Sequence, residues 1–597
     1  MPDRPRTLAL FAEWTADRYA GRPALRFRRP DDGRWTDVGF DELRGTVRTV
    51  GRALLTLGVR PGDRVAVLAR TRPEWTYVQL AALAAGAVVV PVYPTAGDEE
   101  LGWVLSDSGA SVAVAEDAAQ AARITALRAR LPALRHVVVM EGAAEGYPSL
   151  ARIEATASLS RLLDRADRVN PSDLCGIIYT SGTTGLPKGC RLTHGNLAAA
   201  HDATAGFITY APGDSTYLYL PLAHLLAQLV QFGALLRGAT LCYHSGRNED
   251  IVAGLAATRP THLPSVPRLF EKVHGMALAL ADAEGPDGRA RLAAAVRAGV
   301  EAAALRERGE APDGPLRAAW EAAEERVFAP VREVFGGRLR WALTGAAPIA
   351  TATLDFLCAC GVLVHEGYGM TETAGVISLN RPGAFRPGTV GRPVPGCEVR
   401  IAADGEILAR GPGIFPGYHG DPAATAAVLD ADGWLRTGDL GTLDADGFLT
   451  VTGRKKDLVI TSNGKNIAPA LPEAALRESR WISHAVLAGD RRPYPVALLT
   501  LDAAEIAAWA AREGVDLGPD GPERHPAVRR LCQEAVDAVN ARSAGPARIR
   551  AFAILPGDFG VESGELTPTL KLRRSVILER HAGEIAALYE QRMDVRG

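Results

Sequence analysis

The sequence predicts an α/β protein: a large N-terminal domain of layered α/β subdomains plus a small β-barrel-like subdomain, followed by a small, mobile α+β C-terminal domain. Length is the first observation, because 597 residues exceed what one hydrophobic core accommodates. The second is rhythm. Short apolar runs at Val65–Ala69, Ala87–Val92, Ser111–Ala115 and His136–Met140 alternate with helical stretches up to about residue 260, as buried parallel strands do. The third is a change of texture from about Gly388, where Gly, Pro and Asp punctuate short strands. The basic segment Gly453-Arg-Lys-Lys-Asp457 then reads as an inter-domain hinge. The expected domains are therefore 1–452, a hinge at 453–457, and 458–597.

Taken in order, the N-terminus does not open a signal-peptide core, since Glu13 and Asp17 interrupt it. The apolar run from Leu80 to Val92 contains Gly86 and Pro91. At about a dozen residues it is too short to span a bilayer, and it reads as a helix end running into a buried strand. Asp173–Thr180 is apolar enough for another buried strand. Residues 275–335 become Ala/Arg/Glu-rich with Gly-Pro-Asp-Gly and Ala-Pro-Asp-Gly breaks. They are expected to form a helical insertion, a solvated helical hairpin. The α/β pattern resumes at Leu339 and gives way to the β-rich segment of about 388–452.

Composition removes several function classes. Sixty-seven basic against 69 acidic residues give a net charge of −2, so no nucleic-acid partner is indicated. The seven cysteines are odd in number and form no Cys-x-x-Cys pair, which argues against disulfides and zinc. A reducing, cytoplasmic setting follows. A peripheral membrane contact stays open, although no polybasic cluster demands it. Only six of the basic residues are lysines: 188, 272, 455, 456, 465 and 571. In an arginine-biased chain, lysine is expected where a compact ammonium does what guanidinium cannot.

Four of those lysines fall in glycine-, threonine- or proline-rich loops. Tyr179-Thr-Ser-Gly-Thr-Thr-Gly-Leu-Pro-Lys-Gly189 alternates hydroxyls at Thr180, Ser181, Thr183 and Thr184 with Gly182 and Gly185, and ends on Lys188. Such a loop brings backbone N–H groups close to phosphate oxygens, but it is not a Walker A loop. Gly367-Tyr-Gly-Met-Thr-Glu-Thr373 offers an aromatic face for a purine and, in Glu372, a carboxylate for Mg²⁺. Asp439 is suited to ribose hydroxyls, and Arg454 and Lys456 add cations. Lys571 reaches the first loop only if the small domain closes. Taken singly, Tyr368 also fits a core residue, Glu372 a solvated acid and Asp439 a turn or cap.

Together, Tyr179–Gly189, Tyr368-Gly-Met-Thr-Glu-Thr373, Trp434-Leu-Arg-Thr-Gly-Asp439 and Gly453–Asp457 resemble the adenylate-forming (AMP-binding) superfamily of acyl-CoA synthetases, adenylation domains and luciferases. Leu220-Pro-Leu-Ala-His224, Val266–Lys272, Gly464–Pro469 and Gly564–Lys571 resemble its long-chain fatty acyl-CoA synthetase branch. The resemblance implies ATP, Mg²⁺ and coenzyme A, with a fatty acid as substrate. The loop from Thr180 to Lys188 would hold the β- and γ-phosphates, with Thr184 and Glu372 on Mg²⁺. Gly345, Ala346, Ala347, Gly367, Tyr368 and Gly369 would surround adenine, and Thr371 would meet the α-phosphate. Asp439 and Arg454 would hold the ribose. Lys571 would bridge carboxylate and α-phosphate, while Lys456 marks the pivot. After adenylation the small domain would swing, presenting residues 462–466 to coenzyme A. His224 would line and gate the acyl channel without acting as a base; His194 and His365 would be structural.

Three departures from the family pattern carry expectations. Asn463 replaces a glycine and, with Gly464 next to it, is expected to take a left-handed turn. Gln228 replaces an arginine, which bears on the acyl channel. Ala346 replaces a glycine near the base and is expected to be tolerated. An acyl-AMP ligase loading an acyl carrier protein thiol shares the first half-reaction and is the alternative function; a nucleotide-binding regulator without activity is a third. Acyl chain length and oligomeric state are not legible.

Overall fold

The structure, a computed structural model, describes the chain at all residues except 1–3, 30, 141–146, 181–185, 248–249, 286, 464, 544, 568–570 and 594–597, with backbone alone at 151 and 591–593. The apolar runs are strands of one sheet, in the order His136–Val139, Val112–Ala115, Arg64–Leu68, Val88–Val92 and Leu174–Thr180, all parallel. Alternation decides what each face meets. Val65 and Val67 join the cluster of Leu54, Trp75 and Leu80, whereas Ala66 and Leu68 join Leu101, Leu105 and Ile124. Helices cover both faces, so these strands are apolar throughout. The Leu80–Val92 run is the end of helix Pro73–Ala84 followed by Val88–Val92. Gly86, at φ +73°, makes the turn between them.

The sixth strand, Lys188–Thr193, returns antiparallel along Leu174–Thr180. The glycine-rich loop therefore joins two strands of a hairpin, and helix His194–Thr204 begins only after the second strand. A second sheet of nine strands stands beside the first. Its six central strands, from Val364–Met370 through Trp341–Thr344 and His262–Ser265 to Pro23–Arg28, are parallel, with antiparallel strands at both edges. Helix Leu225–Leu236 contributes Leu225, Val230, Phe232 and Leu235 to the main core.

The segment expected as a helical insertion holds Pro267–Ala283, Gly288–Glu307, Gly314–Ala323 and Ala329–Val334, and one of its helices also packs into the domain. Gly288–Glu307 buries Leu292, Ala298, Gly299 and Ala302. A Cβ on Gly299 would lie 2.6 Å from Ala359 Cβ. Small residues let that helix lie directly on Thr351–Ala359, over a core of Phe270, Phe328, Phe335 and Phe356. The β-rich unit is a four-stranded antiparallel sheet, Glu398–Ile401, Glu406–Arg410, Leu435–Leu443 and Leu449–Arg454, paired in linear order.

Beyond it, Ile482–Ala488, Val496–Leu501 and Phe552–Ile554 form a three-stranded sheet backed by helices such as Pro526–Arg542, with its own core around Leu499, Cys532 and Val536. This α+β unit leans on helix Pro267–Ala283. Arg477 lies 3.8 Å from Glu271, Arg480 lies 3.1 Å from Asp282, and Arg268 lies 3.5 Å from His484. Asn463 is not among the left-handed residues described. The turn is closed instead by Thr461, whose N–H donates to the Lys465 carbonyl at 3.0 Å while its hydroxyl accepts from Lys465 N at 3.2 Å; Gly464 lies outside the described residues. Among the described residues, no helix is long and apolar enough to cross a membrane.

Candidate active site

Parallel strands of one sheet end together, and the loops leaving their C-terminal ends share one rim, where α/β folds place ligands. Trp341–Thr344 leads into Gly345, Ala346 and Ala347 at that rim, and its neighbour Val364–Met370 carries Gly367, Tyr368 and Gly369. Close packing dictates the glycines. A Cβ on Gly345 would lie 2.9 Å from the Gly367 carbonyl, and one on Gly369 only 1.6 Å from the Gly375 carbonyl, at a bulge. Ala346 sits at φ +69°, a conformation that costs a non-glycine residue about 1–2 kcal/mol. Glycine at this position thus has a backbone reason as well as a steric one.

Tyr368 O–H donates to Asp439 at 2.7 Å, and the other oxygen of Asp439 lies 3.0 Å from Arg454. Asp439 and Arg454 are direct cross-strand partners, so the sheet itself fixes this pair. Burial and the adjacent carboxylate push the Tyr368 hydroxyl well above its ordinary pKa. Thr371 and Glu372 lie on the 3₁₀ turn that follows, with Glu372 buried. Glu372 accepts a hydrogen bond from Tyr418 O–H at 2.9 Å.

Tyr418 was not singled out in the sequence. It is brought in by an antiparallel bridge to Cys190, and Lys188 Nζ lies 5.2 Å from its ring centroid. The hairpin that carries the glycine-rich loop is held at both ends: Thr180 pairs with Lys188, Trp103 Nε1–H donates to the Pro187 carbonyl at 2.9 Å, and His419 N–H donates to the Gly189 carbonyl at 2.7 Å. Ser181, Gly182, Thr183, Thr184 and Gly185 lie outside the described residues. Glu366, also unmarked in the sequence, is buried and accepts from Gly388 N–H at 3.1 Å; burial raises its carboxyl to about 8.

Lys571 reaches this rim from the far end of the chain. A tight turn in which Thr567 N–H donates to the Lys571 carbonyl at 2.8 Å, and Lys571 N–H donates to Thr567 Oγ1 at 3.0 Å, fixes its backbone. Lys571 keeps solvent exposure as a residue while neighbouring protein atoms crowd its ammonium. Burial and then Arg454 lower its pKa, against Asp439 and Glu372. Lys456 shares these neighbours and is lowered mainly by burial. Lys455 instead turns away to Asp404, at 2.6 Å. His224 caps helix Leu225–Leu236, its Nδ1 accepting from Leu226 N–H at 3.2 Å, which assigns the proton to Nε2. Burial and Lys571 lower it to about 3, so it is neutral and a weak base.

His194 Nδ1 accepts from Leu8 N–H, and His365 stacks on Trp341. Gln228 donates to the Leu222 carbonyl at 3.0 Å and accepts from Gln79 at 2.7 Å, within a buried chain that continues through Gln231 to Thr76. A neutral amide ladder thus braces the turn before His224.

An apolar cavity opens beside that turn. Leu226, Leu229, Leu343 and Val376 line one part of it and Phe11, Phe232 and Leu236 another.

A rim with a carboxylate–guanidinium pair, a buried acid and a lysine from a separate unit, next to an apolar cavity, suits an acid-activating enzyme. The family model for AMP-binding enzymes matches residues 12–419, and that for the AMP-binding enzyme C-terminal domain matches 456–593; the chain belongs to the AMP-binding enzyme family. It is 39% identical over 575 residues to the long-chain-fatty-acid–CoA ligase FadD15 of Mycobacterium bovis, covering 95% of this chain and 94% of that protein. It is 30% identical to the long-chain-fatty-acid–CoA ligase ACSBG1 of Bos taurus, covering 99% and 86%. In fold it resembles the adenylation domain of a Mycobacterium chelonae carboxylate reductase, with TM-score 0.74, 24% identity and coverage of 98% and 91%. It also resembles a Mycobacterium tuberculosis fatty acyl CoA synthetase, with TM-score 0.62, 22% identity and coverage of 97% and 99%.

Proposed function

We propose that the chain activates a fatty carboxylic acid with ATP, giving acyl-AMP and pyrophosphate, and then transfers the acyl group to coenzyme A with release of AMP. The observation that carries this reading is the meeting of Lys571 with Asp439, Arg454, Glu372 and His224 beside an apolar cavity. In the first step the acid's carboxylate oxygen attacks the α-phosphorus and the β-phosphate oxygen leaves. Negative charge gathers on the phosphate oxygens, so fixed cations and N–H donors lower this barrier most. Lys571 supplies a charge between carboxylate and α-phosphate, and Thr371 a hydroxyl at the α-phosphate. The hairpin from Thr180 to Lys188 holds the leaving pyrophosphate. Tyr368 faces adenine, with Gly345 to Ala347 and Gly367 around it, and Asp439, oriented by Arg454, accepts from ribose hydroxyls.

Glu372 fits Mg²⁺. It is a buried oxygen donor with one oxygen engaged by Tyr418, and hard oxygen ligands suit that ion. With Thr184 it would hold the metal, which supplies charge neutralisation to the phosphates. His224, neutral, lines the junction of the nucleotide rim and the acyl cavity. In the second step the C-terminal unit rotates about Lys456, withdraws Lys571 and brings residues 462–466 to the thiol.

Thioester formation from acyl-AMP, measured with coenzyme A against a holo-carrier protein, tests the acceptor. Acyl-CoA is the expected product. Acyl-AMP that accumulates in the presence of coenzyme A, and is consumed only by the carrier protein, overturns this reading.

A further inference from the structure

Two polar atoms are out of place in the apolar cavity's wall. Thr7 is 3% exposed, and its Oγ1 has no hydrogen-bond partner. It sits at the N-cap of the turn Leu8–Leu10, where a threonine hydroxyl ordinarily takes a backbone N–H, yet it makes no such bond. His201, on helix His194–Thr204, has a buried Nε2 that is likewise unpartnered. Both residues line the same cavity, beside Phe11 and Phe232, whose rings are 5.4 Å apart. Leaving a buried donor or acceptor unmade is costly. Here two are unmade in one cavity whose lining is mostly apolar.

Burial, with Arg237 and Arg4 nearby, lowers His201 to about 4, so its imidazole is neutral and takes either role in a hydrogen bond. Arg4 also lines this end, but its guanidinium is held by Asp202 at 2.7 and 2.8 Å. A second carboxylate on the ligand would therefore have to compete for a cation already paired. A neutral hydroxyl would not, because it both donates and accepts.

Helix Leu225–Leu236 sets a length scale for the cavity that Thr7 and His201 line together with Phe232 and Leu236. Phe232 and Leu236 lie six and ten residues beyond Leu226, which abuts His224. At about 1.5 Å per residue they are roughly 9 to 15 Å from the carboxyl end of the cavity. An extended alkyl chain with bonds of about 1.5 Å advances about 1.3 Å per carbon, so this depth corresponds to roughly carbons 8 to 12.

We propose that the acyl site is built for an oxygenated fatty acid, one carrying a hydroxyl in the distal half of its chain, which Thr7 Oγ1 and His201 Nε2 bind. The inference rests on the cavity being the acyl site. Thr7 and His201 are then specificity-determining residues for the adenylation step. An unsubstituted chain fills the same volume but leaves both atoms unpaired.

The test compares pyrophosphate release by the full-length enzyme with tetradecanoic acid and with its derivatives hydroxylated between about carbon 8 and carbon 12. In each protein the quantity read is the ratio of kcat/KM for the hydroxylated acid to that for the plain acid, so a general loss of activity cancels. The expected ratio in the wild-type protein is about tenfold, roughly what one net hydrogen bond supplies. It falls to about one in Thr7→Val and in His201→Phe. A wild-type ratio of one or less, or a ratio that persists in both variants, overturns the inference while leaving the fatty-acyl reading intact. Turnover of neither acid, with turnover of short or aromatic acids, instead sinks that underlying reading. A second measurement needs no substrate: Thr7→Val removes an unpaired buried hydroxyl and is expected to raise the thermal midpoint. A lower midpoint shows that the hydroxyl already has a partner within the protein, which overturns its assignment.

Discussion

Replacing Lys571 with alanine separates the two halves of the proposed reaction. The side chain belongs to a turn fixed by Thr567 and enters the cleft beside Asp439, Arg454 and Glu372. Between a unit positive charge and a unit negative charge at about 4 Å, with an effective dielectric of about 20, the interaction is about 4 kcal/mol. If that term is present only while charge gathers on the α-phosphate, its loss slows adenylation about a thousandfold. Acyl-AMP supplied directly bypasses the step. Quench measurements of pyrophosphate release, set beside acyl-CoA formation from synthetic acyl-AMP, should therefore show loss in the first assay and near-normal rates in the second. The pH dependence adds a signature. Burial and Arg454 lower the Lys571 pKa, so its charge, and adenylation with it, is lost as pH rises below the ordinary lysine value of about 10.4. In kcat/KM for the free enzyme this appears as a basic limb that Lys571→Ala abolishes. Equal losses in both half-reactions, or an unaltered basic limb, would refute the role.

Two further outcomes follow from the site. Tyr418→Phe deletes the 2.9 Å hydrogen bond to the Glu372 carboxylate, a charge-assisted bond worth about 1.5–3 kcal/mol. The Mg²⁺ concentration for half-maximal adenylation is expected to rise about tenfold or more, and an unchanged requirement would remove Glu372 from the metal. Ala346→Gly relieves about 1–2 kcal/mol of left-handed strain against roughly 0.4–1 kcal/mol of added freedom in the unfolded chain. Its thermal midpoint should rise slightly. A fall would mean that the alanine methyl makes packing contacts that outweigh the strain.

The parallel strands were legible because burial on both faces leaves an unbroken apolar run, as in Val88–Val92. The glycines at 345, 367 and 369 were legible as motif positions, although their reasons are steric and lie in other strands. The helical insertion was legible as helix, but only contact with Thr351–Ala359 shows that Ala298 and Ala302 serve close packing. Tyr418 carried no signal, since nothing near it in sequence announces a bridge to Cys190. Asn463 was expected to turn left-handed, but a hydroxyl at Thr461 closes the loop.

What the sequence determined by itself was the inventory of chemistry: a glycine-rich loop ending in one lysine, an acid between threonines, an aspartate after a tight turn, and a scarce lysine near the C-terminus. Residue type and local spacing suffice for that, because backbone freedom and side-chain charge are local properties. What only the tertiary structure decided was which of these meet. Asp439 faces Arg454 through strand register, Glu372 is held by a tyrosine 46 positions away, and Lys571 enters from a separately folded unit resting on Pro267–Ala283. The unpaired Thr7 and His201 atoms in the cavity wall are of the same kind. An unmet hydrogen bond is a relation between neighbours brought together by folding, and no single stretch of sequence contains it.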